Sequence, residues 1–292
     1  MKREDNWQVE WSSVDGRKVR VLVAPPQSAT GENPLHLPVL FLHGLGCSAE
    51  VWEPTIDEMA DRGLCCPVVA PDMPGYGLTP GPPEAMGIDE LADWTVRFLN
   101  VRGIERVHVA GNSMGCQVAL AMARRHKDRV AGVVLQGPTT GDRLVPPWRY
   151  IVGLVGDGFQ ESPRYNLRLM KMYTQMGPRR YFATVRKMLE DDPLTDAKNT
   201  TAPILVIRGG KDAIVSDKIA RQLAAALPDA VYVPLDSAAH AIAYNQPDAF
   251  TDAMVTFLQR AEEKLGLSPN ACPPPTMARE EGAFSTAFAA SV

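Results

Sequence analysis

Short apolar runs and amphipathic stretches alternate along most of this chain. Val9 and Trp11 alternate with polar neighbours, as do Val19, Val21 and Val23 beyond the Asp15-Gly16 turn. That pattern predicts a hairpin of two edge strands over residues 7–23. A polar loop, Pro25 to Pro38, leads to Val39-Leu40-Phe41-Leu42, a continuous apolar run that suits a strand buried on both faces. Behind it Trp52, Ile56 and Met59 recur near helical spacing, which predicts a helix from about Ala49 to Arg62. The alternation then repeats. Strands are expected at Cys65–Ala70, Arg106–Ala110 and Val130–Leu135, with helices near Ile88–Asn100 and from Cys116 to Ala123. Strands and helices in this order predict an α/β fold, a mostly parallel sheet with helices on both faces.

From about Thr139 to Thr201 the buried strands stop. The segment is rich in Arg, Tyr and Met, including Trp148, Tyr150, Tyr165, Tyr173, Tyr181 and Met188, and reads as a mostly helical cap. Some of these side chains pack on one another, and the rest are expected over the strands' carboxyl ends, where open α/β sheets bind ligands. The pattern resumes with the strand Pro203–Arg208, a helix over about Ser216–Leu227, the strand Ala230–Leu235 and a last helix from Pro247 to Leu265. The expected organisation is therefore a core of residues 1–138 and 202–265, a cap of residues 139–201 inserted before the penultimate strand, and a Pro-, Ala- and Ser-rich tail of residues 266–292 without periodicity, disordered or loosely docked.

Composition narrows the class. The net charge of −4 offers no basic field for nucleic acid or anionic lipid. No segment approaches the run of about 20 apolar residues that spans a membrane. Met1 to Asn6 is charged and lacks the apolar core of a secretion signal, so a cytoplasmic protein is expected. Five scattered cysteines do not form a disulfide framework, and no His/Cys spacing suggests zinc.

The candidate chemistry centres on Gly111-Asn112-Ser113-Met114-Gly115, between a β-branched run and a small-residue helix. Strand, G-x-S-x-G and helix in that order form a nucleophile elbow. The turn is tight enough to need small residues two positions either side of the serine. It lifts the Ser113 hydroxyl out of the sheet to a helix N-terminus, which favours developing anions. A serine at its normal acidity needs a base. Of the five histidines, His240 follows the last strand and precedes the last helix. His36 falls in a surface loop, His108 inside a strand and His126 in a charged run. Asp212 follows the penultimate strand and would reach the same sheet edge to orient the imidazole. Asp142 and Asp236 are rival acids. The backbone N–H groups of Leu45 and Met114 are the candidate oxyanion donors.

With these residues assembled, residues 7–265 resemble the α/β-hydrolase superfamily, in particular capped serine carboxylesterases. The resemblance rests on His43-Gly44 after a strand, the elbow at Ser113, Gly209-Gly210-Lys211-Asp212 after a strand, and His240 with Pro247 and Phe250 behind it. It implies an α/β-hydrolase fold and a Ser113–Asp212–His240 triad, with His43 shaping the oxyanion loop. His43, Gly44, Asn112, Trp148 and Tyr173 are the candidate substrate contacts.

The reading is a serine hydrolase of small or medium apolar carboxylic esters, working through an acyl-enzyme with no metal or organic cofactor. Its partner is a small-molecule ester, with no nucleic acid and no membrane span, and the expected state is a monomer or homodimer. Lactones and thioesters fit the same machinery. The elbow also resembles that of carbon–carbon hydrolases of meta-cleavage products. However, the loop after His43 lacks the Pro-Gly of that family, and Ala241 follows His240 where that family has Trp. Haloalkane dehalogenases and epoxide hydrolases resemble this fold but place Asp at the nucleophile. Proline iminopeptidases fit less well, because the cap shows no obvious acidic cluster to hold an amine. A small-molecule receptor on a hydrolase fold is the non-enzymatic alternative.

Overall fold

A computed structural model describes residues 6–25, 35–64, 66–139, 153 and 156–267. The hairpin forms as expected, β1 (Gln8–Val14) and β2 (Arg17–Ala24) meeting at Asp15-Gly16. Of these two strands, β1 alone lies at the edge of the sheet. β2 also pairs antiparallel with β4 (Val68–Pro71), because six consecutive residues, Val19 to Ala24, are buried and need cover on both sides. The remaining strands are parallel: β3 (Val39–Leu42), β5 (Val107–Asn112), β6 (Val130–Gln136), β7 (Ile204–Gly209) and β8 (Ala230–Leu235). The eight strands run in the order β1-β2-β4-β3-β5-β6-β7-β8.

Every residue of β3, β5, β6 and β7 is buried, as strands covered on both faces require. One face carries α1 (Glu53–Asp61), preceded by a 3-10 turn at Ala49–Trp52, and later α8 (Ile242–Asn245) and α9 (Pro247–Lys264). Trp52, Phe41 and Phe250 meet there, with ring centroids 4.6 and 5.9 Å apart around Trp52. The other face carries α2 (Ile88–Val101), α3 (Met114–Arg125) and α7 (Asp217–Ala226), packed through Leu91, Phe98, Leu120 and Leu223.

Between β6 and β7 lie α4 (Pro163–Met176), α5 (Pro178–Glu190) and α6 (Pro193–Asn199), each opened by a proline in the first turn, where its missing N–H costs nothing. Of the Met and aromatic residues here, Tyr165, Met172, Met176 and Met188 are buried, whereas Met170 and Phe182 stand 67% and 61% exposed and face neither core nor cleft. Trp148, Tyr150 and Asp142 fall outside the described residues, as does the tail beyond residue 267. No helix among the described residues is long and apolar enough to cross a membrane.

Candidate active site

The parallel strands of the sheet end on one edge, and the functional candidates sit in the loops just past those ends. β3 runs into the loop from His43 to Cys47, β5 into Ser113, β7 into Asp212, and β8 into the turn that carries His240. That is the edge where open α/β sheets collect their ligands.

Ser113 joins β5 to α3 with φ 54° and ψ −115°, a left-handed-side conformation that a serine adopts only when its surroundings enforce it. Two close approaches enforce it. A Cβ on Gly111 would stand 2.4 Å from the Gly115 carbonyl oxygen, and one on Gly115 would stand 2.2 Å from that of Leu42. The Ser113 N–H donates to the Gln136 carbonyl at 3.0 Å, and its own carbonyl accepts from Cys116 N–H at 3.0 Å. The backbone is thus tied on both sides of the hydroxyl, and α3 starts at the next residue.

His240 is buried, and its Nδ1 lies 2.8 Å from Asp212 Oδ2. The other Asp212 oxygen accepts the N–H groups of Ile214 and Val215, each at 2.8 Å. Burial favours the neutral acid, but the charge and hydrogen bond of His240 and these two amides hold the Asp212 carboxyl below the ordinary range. Burial likewise opposes charging His240. The carboxylates of Asp212, Asp157 and Glu161 outweigh it and raise the imidazolium to about 9. Of the rival acids, Asp236 is exposed in the turn after β8, and the imidazole Nδ1 pairs with Asp212 instead.

Ser113 and His240 line one cavity, roughly 810 Å³ with the open solvent at its mouth included. Its floor includes Gly44, Leu45 and Asn112, and its roof is Tyr165, Leu169 and Tyr173 of α4 with Tyr181, Val185 and Met188 of α5. Tyr173 also lies against Gly46, where a Cβ would come within 2.1 Å of its ring. Among the described residues neither Leu45 nor Met114 spends its backbone N–H on a partner. The Met114 side chain is buried, its Sδ accepting from Tyr76 Oη at 3.4 Å.

His43 departs from the sequence reading as a substrate contact but sits as a residue that shapes the loop. It is fully buried and lines no part of the cavity. Its Nε2 accepts Met73 N–H at 3.0 Å, and its Nδ1–H donates to the Gly44 carbonyl at 2.9 Å. With both ring nitrogens committed, it braces the loop from behind. Burial lowers its pKa further, so the ring stays neutral. His36 is also unlike a solvated loop residue, because its ring and backbone N–H both bond Glu262.

Three further polar residues escaped the sequence reading. Gln136, at the end of β6, donates from Nε2 to the His240 carbonyl at 2.8 Å and accepts Ala243 N–H at 3.1 Å. Asp157 and Glu161, from the segment before α4, line the cavity and are buried. They form the acidic pair that the cap had seemed to lack. Their spacing of four is a helical one, but ordinary solvated acids share it, so nothing in the sequence marked them.

The sequence profile of the alpha/beta hydrolase family matches residues 39–253. A dihydrolipoyllysine-residue acetyltransferase component of an acetoin cleaving system from Cupriavidus necator is 33% identical over 44% of this chain, which is 32% of that protein's length. Haloalkane dehalogenase 2 of Mycobacterium tuberculosis is 31% identical over 75% of this chain and 86% of its own. A solved thermophilic esterase from Thermogutta terrifontis superposes with a TM-score of 0.70 at 22% identity, over 87% of this chain and 99% of that one. The family match spans the elbow, both loops past β7 and β8, and most of the sheet, and the chain belongs to the alpha/beta hydrolase family.

Proposed function

We propose that the protein is a serine hydrolase of small or medium carboxylic esters that are neutral or carry positive charge. The observation that carries this reading is the pairing of His240 with Asp212 at 2.8 Å, in a cavity that Ser113 shares. His240 takes the Ser113 proton through Nε2 as Oγ attacks the ester carbonyl. The oxyanion rests on the N–H groups of Leu45 and Met114, with the α3 N-terminus behind it. The imidazolium returns the proton to the leaving alkoxide, and an acyl-enzyme remains. Water, deprotonated by His240, releases the acid and restores Ser113. The helices α4 and α5 act as the cap that shapes the acyl and alcohol sites.

Two neighbouring chemistries fit less well. Ser113 displacing halide from a haloalkane would leave an ether, with no carbonyl for water to attack, so the dehalogenase likeness does not extend to the reaction. The substrate of a meta-cleavage-type carbon–carbon hydrolase, a vinylogous diketone acid, carries its own carboxylate. Asp157 and Glu161 face the cavity, and no Lys or Arg among the described residues lines it, so a second anion is repelled.

The test is hydrolysis of p-nitrophenyl esters from acetate to palmitate by wild type and Ser113→Ala. Turnover peaking at short or medium chains, and lost in the variant, is expected. Wild-type turnover by Ser113→Ala would sink the reading.

A further inference from the structure

His240 is held by its main chain from two sides. The core holds its carbonyl, through Gln136 Nε2 at 2.8 Å. The inserted segment holds its N–H, which donates to Asp157 Oδ1 at 3.1 Å. The next peptide is held the same way, Ala241 N–H donating to Glu161 Oε1 at 2.6 Å. The other Glu161 oxygen accepts from Asn245 Nδ2 in α8, just beyond the same loop. A triad needs one carboxylate beside its imidazole. This site has three, two of them supplied from outside the sheet core.

We propose that Asp157 and Glu161 are positioning residues for His240, fixing its loop through the backbone and keeping negative charge beside its ring. The inserted segment then sets both the place and the basicity of the catalytic base. The inference rests on the serine-hydrolase reading but concerns residues that touch neither the Ser113 hydroxyl nor the imidazole nitrogens.

The charged and titratable groups around the ring are few. Asp212 faces it from the loop after β7, and Asp157 and Glu161 face it from the insert. Tyr165 and Tyr173 of α4, Tyr181 of α5 and Cys47 of the loop after β3 line the same cavity. Burial pushes all four of these up, so they stay neutral. Among the described residues, no Lys or Arg lines the cavity to offset the acids. Burial, opposed by the Ala241 N–H and reinforced by Asp157, pushes the Glu161 carboxyl up to about 7. Burial raises the Asp157 carboxyl as well. Above about pH 7 Glu161 is mostly ionised and adds its pull on the imidazolium.

The experiment is an NMR titration of the His240 ring in full-length wild type, Glu161→Gln and Asp157→Asn, alongside kcat and KM for the best p-nitrophenyl ester. Both variants keep an acceptor oxygen for the backbone N–H and lose the charge. The expected result is a His240 midpoint lowered by about one pH unit in each, with the acid limb of kcat/KM moving down by the same amount. Glu161→Ala, which loses the acceptor as well, is expected to lower kcat about tenfold more than Glu161→Gln, with KM little changed. Unmoved midpoints in both charge-removing variants would overturn the proposal, as would a rise in KM alone, which marks substrate contacts instead. If one variant fails to fold, the other reads the same midpoint. Fluorophosphonate labelling of wild-type Ser113 keeps the two readings apart. Its absence removes the serine-hydrolase reading, while the titration still reports on His240.

Discussion

Asp212 gives one carboxylate oxygen to His240 Nδ1, at 2.8 Å, and the other to the backbone of its own loop. The carboxylate therefore cannot rotate without breaking three hydrogen bonds. In the proposed triad this pairing holds the tautomer that leaves Nε2 to serve Ser113. Asp212→Asn keeps the shape but can present its amide N–H₂ to Nδ1, which favours the wrong tautomer. Loss of kcat by about 10³- to 10⁴-fold is expected, with KM little changed and Tm within a few degrees of wild type. Steady-state kinetics with one ester checks it.

The pH dependence follows from the same group. As the proposed base His240 must be neutral to accept a proton, and its pKa is raised to about 9. For free enzyme, kcat/KM is therefore expected to climb through neutral pH and level off only above about pH 9. The imidazolium form predominates below that point, so a plateau already reached near pH 7 would contradict the electrostatics described.

Gly137 follows β6 with φ +55°, and a Cβ there would stand 2.7 Å from His240 Cε1 and 3.3 Å from Asp212 Oδ2. Gly137→Ala is both strained and sterically opposed. Stability is expected to fall by roughly 1–3 kcal/mol. The more specific outcome is a kcat reduced at least about 100-fold, because the Cβ displaces the imidazole from its acid. A thermal melt and an initial-rate measurement on one preparation separate the two effects.

Much of the placement of this candidate site was legible because the proposed chemistry depends on chain order. The elbow needs Gly111 and Gly115 around Ser113, and strands read from apolar runs put Asp212 and His240 past the same sheet edge. β2 was misplaced at the edge because alternation in Val19, Val21 and Val23 does not reveal that Arg20 is also buried. The Arg20 side chain pairs with Asp72, 52 residues away, and no local pattern records that. His43 was read both as shaping the oxyanion loop and as a substrate contact, because sequence gives the loop but not the direction of the ring. Gln136, Asp157 and Glu161 act through backbone groups of residues 80 to 107 positions away. Such partners leave no spacing to find.

Glu262 shows the same long-range economy on the opposite side of the molecule. From α9 it accepts the N–H groups of His36 and Leu37 at 2.9 Å, the His36 ring at 2.9 Å and the His108 ring at 3.1 Å. One carboxylate thereby ties the approach to β3, strand β5 and the last helix together. Burial opposes its charge, but these donors prevail and lower the carboxyl to about 2. A folded-state pKa below the unfolded one stabilises the fold above the unfolded value. That contribution fades as pH falls from about 4.5 towards 2. A depression of this size corresponds to about 3 kcal/mol at neutral pH. Glu262→Gln turns an amide N–H₂ towards donors that need an acceptor. It is expected to lower Tm at pH 7 by on the order of 5–10 °C. The gap from wild type should narrow when both proteins are melted at pH 3, where the wild-type carboxylate has lost much of its advantage. A gap that stays constant between pH 7 and pH 3 would mean that Glu262 stabilises by packing and not by charge.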